Sequence, residues 1–216
     1  MSSADRRPTL VVVGPPGAGK TTVGRVLARR LGVPFTDTDD LLVARAGKAI
    51  ADMFVEDGEP AFRALERAVV AEALTSTGGV LALGGGAVLA AETRELLRGH
   101  RVVSLTVGLS DGVRRTGMSS ARPLLSGVNP RATFKALLDA RAPLYREVAT
   151  VEVDTVRRSP NQVARAVLEA IGAVSPDDPP DPVDPDDPFD VVTPDDLPLL
   201  PEPTLGLLGS NRERPR

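Results

Sequence analysis

The sequence predicts an α/β domain built around a parallel sheet, followed by a disordered acidic tail. Short β-branched runs such as Thr9–Val13 alternate with segments of helical periodicity, which is typical of βαβ units. Residues 174–216 hold 11 of the 20 prolines and 11 of the 29 acidic residues. Such a segment buries too little apolar surface to offset the entropy of ordering it. We therefore expect one domain over residues 1–173 and an acidic, proline-rich tail over 174–216.

Strands and helices alternate through the first half of the domain. Thr9–Val13 is an apolar run of strand length, and Lys20–Leu31 repeats apolar residues at helical spacing until Gly32 ends the pattern. A second strand, Val33–Thr36, leads into the acidic run Asp37–Asp40, whose side chains suit the start of a helix. Three helices separated by glycines are expected next, at Asp40–Ala46, Ile50–Asp57 and Glu59–Ser76.

The second half continues the same alternation. A third strand, Val80–Leu83, runs into the three glycines Gly84–Gly86. The polar stretch Gly117–Pro130 contains glycine and proline and predicts a loop, and Pro143 is expected to interrupt the long helix Arg131–Glu147. The remaining strands are expected at Arg101–Thr106 and Ala149–Asp154, and the remaining helices at Glu92–Arg98, Asp111–Thr116 and Pro160–Ile171.

The composition excludes several classes of chemistry. The chain has no cysteine and one histidine, which rules out disulfides and thiolate metal sites and leaves little for histidine-based catalysis. Its apolar runs are strand-sized and no signal peptide is recognisable, so we expect a cytoplasmic protein with no membrane span. Residues 1–173 carry 23 basic and 18 acidic residues, a net charge of +5, without a basic block. This mild charge favours a small anionic ligand over nucleic acid.

The strongest motif is GPPGAGKT at Gly14–Thr21, which fits G-x-x-x-x-G-K-[ST] between a predicted strand and a predicted helix. In such a P-loop, main-chain amides surround phosphate oxygens and the helix start adds the positive end of its dipole. Lys20, one of only three lysines, is expected to reach the β- and γ-phosphates of a nucleoside triphosphate, and the Thr21 hydroxyl to bind Mg²⁺. The expected nucleotide contacts in this segment are Gly17, Ala18, Gly19, Lys20, Thr21 and Thr22.

A carboxylate is still needed beside the phosphates, and Asp37 and Asp39 are the candidates. The third and fourth predicted strands are followed by Gly84 and Val107 rather than by an acidic residue. Alternate residues after a parallel strand can direct one carboxylate to a metal and the other to a substrate hydroxyl. Capping of the following helix is the competing interpretation of both aspartates.

Five motifs follow one another along the domain. They are DTD at Asp37–Asp39, GKAIADMFVEDGEPAFRALE at Gly47–Glu66, LALGGGAV at Leu81–Val88, RPLL at Arg122–Leu125 and RAPLYREVA at Arg141–Ala149. In this order they resemble the shikimate kinase family over about residues 9–171. The resemblance implies a three-layer P-loop kinase fold, with a five-stranded parallel sheet, helices on both faces and a mobile lid. It also implies transfer of the γ-phosphate of ATP to the 3-hydroxyl of shikimate, in the route to chorismate and aromatic amino acids.

The resemblance also assigns roles to individual residues. Asp39 is expected to bind the attacking hydroxyl of shikimate as its base, and Asp37 to hold Mg²⁺ through water. A monomer is implied as well. The expected substrate contacts are Arg63 and Arg141 at the carboxylate and the main chain of Gly84, Gly85 and Gly86. The expected further nucleotide contacts are Arg122, from the lid, at the triphosphate and Arg115 and Arg158 beside the adenine.

Several alternatives stay open at the level of the sequence. Arg63 and Glu66 are three residues apart on one helix, so they could pair on its surface, with or without a role for Arg63 at the substrate. Phe54 and Phe62 are equally consistent with a wall of the substrate site and with the core. The alternative functions are a gluconate-type kinase, a nucleoside monophosphate kinase, and a non-catalytic nucleotide-dependent binding protein whose acidic tail recruits a partner.

Overall fold

A computed structural model describes residues 7–117 and 129–175 of the chain. It contains five parallel strands: β1 Leu10–Val13, β2 Phe35–Asp37, β3 Val80–Ala82, β4 Val102–Thr106 and β5 Val151–Asp154. They form one sheet in the order β2-β3-β1-β4-β5. The chain therefore builds one side of the sheet from β2 and β3 and the other from β4 and β5. Ligands of open parallel sheets bind where the strand order reverses, so the carboxyl end of β1 is the expected site.

Eight helices accompany the sheet within the described residues. They are α1 Lys20–Leu31, α2 Thr38–Ala46, α3 Ile50–Glu56, α4 Gly58–Ser76, α5 Ala91–Leu97, α6 Leu109–Gly117, α7 Pro130–Val148 and α8 Pro160–Ala170. A 3₁₀ turn at Ala87–Leu89, which the sequence did not predict, follows the three glycines after β3. Gly32 and Gly47 end α1 and α2 in the left-handed conformation, as expected of glycines that follow a helix.

Alternate residues of β1 point into two hydrophobic clusters, one on each face of the sheet. Leu10 and Val12 pack in the cluster that includes residues of α1 and α8. Val11 and Val13 pack in the cluster that includes residues of α4 and α7. All four side chains are buried, so the strand that precedes the P-loop is held from both faces. The expected five-stranded parallel sheet with helices on both faces is confirmed.

A third, smaller cluster joins α2, α3 and α4. Its buried members are Leu42, Met53, Phe62 and Val69. Phe62 is thus a core residue, and the partly buried Phe54 packs on it with ring centroids 4.4 Å apart. This cluster fixes α2 and α4, the two helices that carry Asp39 and the Arg63–Glu66 pair, against each other.

The boundary between β2 and α2 differs from the prediction. The strand ends at Asp37 and the helix begins at Thr38, two residues earlier than expected. Asp39 therefore lies in the first turn of α2 and not in an extended segment beyond the strand. The physical reason is the cap, because the Asp37 carboxylate accepts a hydrogen bond of 3.0 Å from the Asp39 N–H.

The expectation that Pro143 interrupts its helix is wrong. Helix α7 runs from Pro130 to Val148 with Pro143 inside it. A proline removes one main-chain hydrogen bond and crowds the preceding turn, but tertiary packing can outweigh this cost. Phe134 and Tyr145, which lie on either side of Pro143, are buried in the two large clusters and hold the helix at both ends.

Several sequence predictions fall on residues outside the described part. Residues 118–128 of the predicted loop, including Arg122, are among them, and so are residues 176–216 of the predicted tail. Val174, at the start of that tail, is partly buried against the cluster that contains α1 and α8. Within residues 7–117 and 129–175, no helix is long and apolar enough to span a bilayer.

Candidate active site

The P-loop follows β1 and leads into the amino end of α1. At Gly14, with φ of 147°, a Cβ atom would overlap the main-chain carbonyl of Leu105 in β4. Only glycine allows this close approach of the loop to the neighbouring strand. Gly19 precedes α1 in the left-handed conformation, with φ of 84°. Lys20 and Thr21 therefore begin the helix, where the positive end of the dipole favours an anion.

Lys20 and Thr21 are both held by contacts outside their own helix turn. Lys20 Nζ donates to the carbonyl oxygen of Pro15 at 3.1 Å, which folds the ammonium group back over the loop. Thr21 Oγ1 donates to Asp37 Oδ2 at 2.7 Å. The other oxygen of Asp37 caps α2, so this buried carboxylate links the starts of α1 and α2. Both readings of Asp37, as a helix cap and as a site residue beside Thr21, are compatible with this geometry.

The Asp39 and Glu66 carboxylates lie against Gly84. A Cβ atom on Gly84 would lie 2.6 Å from Asp39 Oδ1 and 3.2 Å from Glu66 Oε1. The Gly84 N–H donates to Thr38 Oγ1 at 2.9 Å in a buried position, which fixes the main chain there. Glycine at this position therefore leaves the space that the Asp39 carboxylate occupies.

Glu66 is a buried carboxylate whose main partner is Arg63. Its side chain is 5% exposed, and Arg63 Nη1 donates to Glu66 Oε2 at 2.6 Å. Burial raises the pKa of Glu66 above its ordinary value and Asp39 adds to the rise, whereas Arg63 and Arg141 oppose it. The pairing of Arg63 with Glu66 that the spacing suggested is therefore present, but in a largely buried position.

Arg63 is further enclosed by aromatic rings and by the glycine segment. Its Cζ atom lies 5.8 Å from the ring centroid of Phe54 and 5.2 Å from that of Phe62. A Cβ atom on Gly86 would overlap the guanidinium group. These neighbours fix the guanidinium of Arg63 next to the main chain that follows β3.

Arg141 reaches the same glycine segment from α7. Its Nη1 atom donates to the carbonyl oxygen of Gly85 at 3.0 Å, and the Tyr145 hydroxyl donates to the same oxygen at 2.6 Å. On the other side of Gly85, a Cβ atom would lie 3.2 Å from Pro16 of the P-loop. Gly84–Gly86 thus lies between the P-loop and the arginines of α4 and α7.

Arg115 and Arg158 lie on the opposite side of the P-loop, near the end of β5. Arg115 Nη1 donates to the Gly17 carbonyl oxygen at 3.3 Å and to Thr155 Oγ1 at 3.4 Å. Arg158 is exposed, and its Nη1 donates to the Asp154 carbonyl oxygen at 3.3 Å. Both arginines therefore border the loop after β5.

A cavity of about 340 Å³ connects the P-loop with Asp39. Seven of its lining residues belong to the P-loop, the start of α1 and the end of β2, and the other four belong to α2, to the segment after β3 and to α6. The lining residues are Pro16, Gly17, Gly19, Lys20, Thr21, Thr22, Asp37, Asp39, Leu83, Gly85 and Arg115. The P-loop and the Asp39 carboxylate therefore face one space, which is compatible with phosphoryl transfer to a bound hydroxyl.

The family model described as "Shikimate kinase" matches residues 16–172 of the chain. The chain belongs to the shikimate kinase family. A shikimate kinase of Saccharopolyspora erythraea is 63% identical over 166 residues, covering 77% of this chain and 95% of that protein. A shikimate kinase of Thermobifida fusca is 56% identical over 167 residues, covering 77% of this chain and 96% of that protein.

A solved structure gives the same result at the level of the fold. The shikimate kinase from Acinetobacter baumannii in complex with shikimate is 39% identical, with a TM-score of 0.75 over 78% of this chain and 95% of that chain. Membership in the shikimate kinase family confirms the resemblance and the P-loop kinase fold. The two alternative kinases that the sequence left open, the gluconate-type kinase and the nucleoside monophosphate kinase, are not supported by these matches.

The structure brings most of the residues expected of a shikimate kinase into two adjoining groups. The first group lines the cavity and contains Gly17, Gly19, Lys20, Thr21, Thr22, Asp37, Asp39, Gly85 and Arg115. The second group surrounds the glycine segment and contains Arg63, Gly84, Gly86 and Arg141. Ala18 is fully buried and Arg158 is exposed, so neither lines the cavity, and Arg122 lies outside the described residues.

Sequence reasoning did not single out two polar residues of this site. Thr38, between the two aspartates, accepts the Gly84 N–H. Tyr145, four residues after Arg141, donates to Gly85. Tyr145 lies one helical turn from Arg141 and is the only tyrosine of the chain, which was a signal available in the sequence. No comparable signal was available for Thr38, because its partner is 46 residues away.

Proposed function

We propose that this chain transfers the γ-phosphoryl group of ATP to the 3-hydroxyl of shikimate, giving shikimate 3-phosphate and ADP. The main support is that the Asp39 carboxylate and the P-loop residues Lys20 and Thr21 line one cavity. Shikimate kinases use ATP as the phosphate donor, which supports ATP as the nucleotide here. A cytoplasmic monomer is part of the same proposal.

Three side chains are proposed to act in the transfer, two of them positively charged and one a carboxylate. Lys20, at the amino end of α1, would offset charge on the phosphate oxygens. Arg122, which lies outside the described residues, would approach them from the predicted lid, and closure of such a lid would also exclude water and suppress ATP hydrolysis. Asp39 would orient the attacking hydroxyl and accept its proton. The proton of the hydroxyl then moves to Asp39 while the oxygen bonds to phosphorus and ADP leaves.

The residues at the start of α1 and α2 suit a magnesium ion. Thr21 Oγ1 and Asp37 Oδ2 are oxygen atoms 2.7 Å apart. Mg²⁺ prefers oxygen ligands, and typically one or two of these come from the protein and the others from phosphates and water. Thr21 would bind the ion directly and Asp37 through water. When bound, the ion would neutralise negative charge on the β- and γ-phosphates.

The carboxylate of shikimate is proposed to bind Arg63 and Arg141. Both guanidinium groups lie at the glycine segment beside Asp39, and guanidinium binds carboxylate in a two-pronged geometry. The buried Glu66 holds Arg63 in this position. Arg115 and Arg158, which border the loop after β5, are proposed to lie on either side of the adenine.

The experiment that tests this function measures ADP release from Mg-ATP with shikimate, with gluconate and without an acceptor. We expect release that depends on shikimate and is low in the other two reactions. Equal release with gluconate would contradict the substrate assignment. ATP binding without any acceptor-dependent release would indicate the non-catalytic binding protein instead.

We expect Arg141→Lys to raise the KM for shikimate about tenfold or more, because a lysine cannot supply the two-pronged contact to a carboxylate and keep the bond to Gly85. The KM for ATP should change by less than about twofold, since Arg141 is not among the residues lining the nucleotide cavity. Steady-state kinetics with each substrate varied in turn measure both values. Equal changes of the two KM values would argue against the carboxylate clamp.

Deleting residues 176–216 should leave turnover within about twofold of the full chain. The relatives from S. erythraea and T. fusca are covered almost completely by 77% of this chain, which supports a catalytic domain without the tail. The deletion retains Val174, which packs on the core, and Ser175, whose carbonyl oxygen accepts from Arg165. A loss of activity with an unchanged melting temperature would show that the acidic tail takes part in the reaction.

A further inference from the structure

Tyr145 is a buried phenol that no step of the proposed mechanism uses. It is 4% exposed, and its hydroxyl donates to the Gly85 carbonyl oxygen at 2.6 Å. Arg141 donates to the same oxygen at 3.0 Å. The two residues are one turn apart on α7, so they lie on the same face of the helix. One carbonyl oxygen, which has two lone pairs, therefore receives two donors from one helix face.

Gly85 lies between the P-loop and residues that contact Asp39 and Arg63. Pro16 of the P-loop is 3.2 Å from the place of a Cβ atom on Gly85. The preceding residue, Gly84, borders the Asp39 carboxylate, and the following residue, Gly86, borders the Arg63 guanidinium. A shift of this segment would therefore move the surfaces that face the base and both arginines.

We propose that Tyr145 is a positioning residue for acid binding: its hydroxyl fixes the Gly85 carbonyl, and this carbonyl in turn fixes the Arg141 guanidinium. The inference rests on the proposed function, since it assigns Arg141 to the substrate carboxylate. One nitrogen of Arg141 is used on Gly85, so the direction of its other N–H groups depends on where that oxygen lies. A second donor on the same oxygen restricts its movement.

The phenol stays a hydrogen-bond donor over the working pH range of a kinase. Burial raises the pKa of Tyr145 to about 12, while Arg141 opposes this rise and Glu66 adds to it. The bond to Gly85 is therefore that of a neutral hydroxyl near neutral pH.

The 3₁₀ turn at Ala87–Leu89 is held by contacts that do not involve Tyr145. The Tyr145 hydroxyl can therefore be removed without releasing this turn. Arg94 of α5 donates to the Val88 carbonyl oxygen at 2.9 Å and pairs with Glu147 of α7 at 2.9 Å. These contacts connect the 3₁₀ turn after Gly86 with α5 and α7. Replacing Tyr145 by phenylalanine keeps the buried ring, so we expect the fold to persist while Gly85 gains freedom.

The test is Tyr145→Phe in the full chain, with the matched control Thr150→Val. Thr150 Oγ1 also donates to a main-chain oxygen, that of Val102 at 2.8 Å, but at the amino ends of β4 and β5, away from the site. We expect Tyr145→Phe to raise the KM for shikimate about three- to tenfold and to leave the KM for ATP within about twofold. Thr150→Val should change neither KM by more than about twofold.

Each outcome bears on the proposal. A lower melting temperature for both variants with an unchanged KM for shikimate in Tyr145→Phe would assign the hydroxyl a purely structural role and overturn the inference. Equal rises in both KM values would overturn it as well. The unsubstituted chain is assayed in the same series, and the absence of shikimate-dependent ADP release there would mean that the proposed function itself is wrong.

A second readout does not depend on turnover. Tyr145 is the only tyrosine and the chain has no tryptophan, so ultraviolet-excited emission reports on this one ring. We expect shikimate alone to change that emission saturably, because its carboxylate would offset the charge of the neighbouring Arg141. Shikimate binding by calorimetry with no change of emission would contradict the link between Tyr145 and Arg141.

Discussion

Replacing Asp39 by asparagine is expected to lower turnover by about 100-fold or more, while the affinity for ATP stays nearly unchanged. Loss of a general base, the role proposed for Asp39, typically costs this much, and asparagine is close in size but cannot accept the proton of the attacking hydroxyl. Asp39 lies in the first turn of α2, and its backbone N–H is capped by Asp37, so the substitution leaves the helix start intact. Single-turnover kinetics and nucleotide titration measure the two quantities separately.

Asp40→Asn is the matched control for this prediction. Asp40 is the next residue of the same helix turn and is exposed. It should keep turnover within about twofold of the unsubstituted chain. Turnover near normal in Asp39→Asn, with shikimate present at saturation, would remove Asp39 from the role of base.

The second large effect is expected for Gly84→Ala, which should lower turnover about 100-fold. The new Cβ atom would lie 2.6 Å from Asp39 Oδ1, so the carboxylate must move by about 1 Å, and misplacement of a catalytic group by that distance has a cost of this order. The atom displaced is the end of a side chain rather than the main chain, and Gly84 does not have a left-handed φ. We therefore expect a folded protein with a misplaced Asp39 carboxylate.

Two further glycines separate this explanation from a general loss of stability. At Gly86 the added Cβ atom would displace the Arg63 guanidinium, so Gly86→Ala should mainly raise the KM for shikimate. At Gly78 nothing lies within 4 Å of the added atom, so Gly78→Ala should leave the kinetics unchanged. If Gly84→Ala and Gly86→Ala change the same kinetic constant, the separate assignments of Asp39 and Arg63 are wrong.

Much of the fold could be predicted because its signals are local. The strand at Leu10–Val13 is a continuous apolar run, and the helix at Lys20–Leu31 has a clear apolar repeat and a glycine after its end. Two predictions failed, one because distant contacts outweigh a local preference and one at a helix start where several adjacent aspartates could act as the cap. Helix α7 continues through Pro143 because Phe134 and Tyr145 are buried on either side, and α2 begins early because Asp37 caps it.

The candidate site could be predicted less completely than the fold. The P-loop is one continuous segment, so its spacing alone indicates a phosphate site. The contacts of Gly85 with Arg141 and Tyr145 join residues 56 and 60 positions apart, and no local pattern encodes such a contact. The pairing of Arg63 with Glu66 could be suggested from helical spacing, but the burial of this pair could not, because burial depends on how α2, α3 and α4 pack.

The two carboxylate oxygens of Asp37 have different partners, and this has a consequence for the order in which the ligands bind. One oxygen of this carboxylate faces Thr21 and the other holds the N–H of Asp39. If a cation bound with the nucleotide takes Thr21 as a ligand, only the Asp37 oxygen that accepts from Thr21 loses its hydrogen bond. The hydrogen bond from the Asp39 N–H to the other Asp37 oxygen is kept. The residues around Asp39 would thus be in place before ATP binds. This predicts that either substrate can bind first.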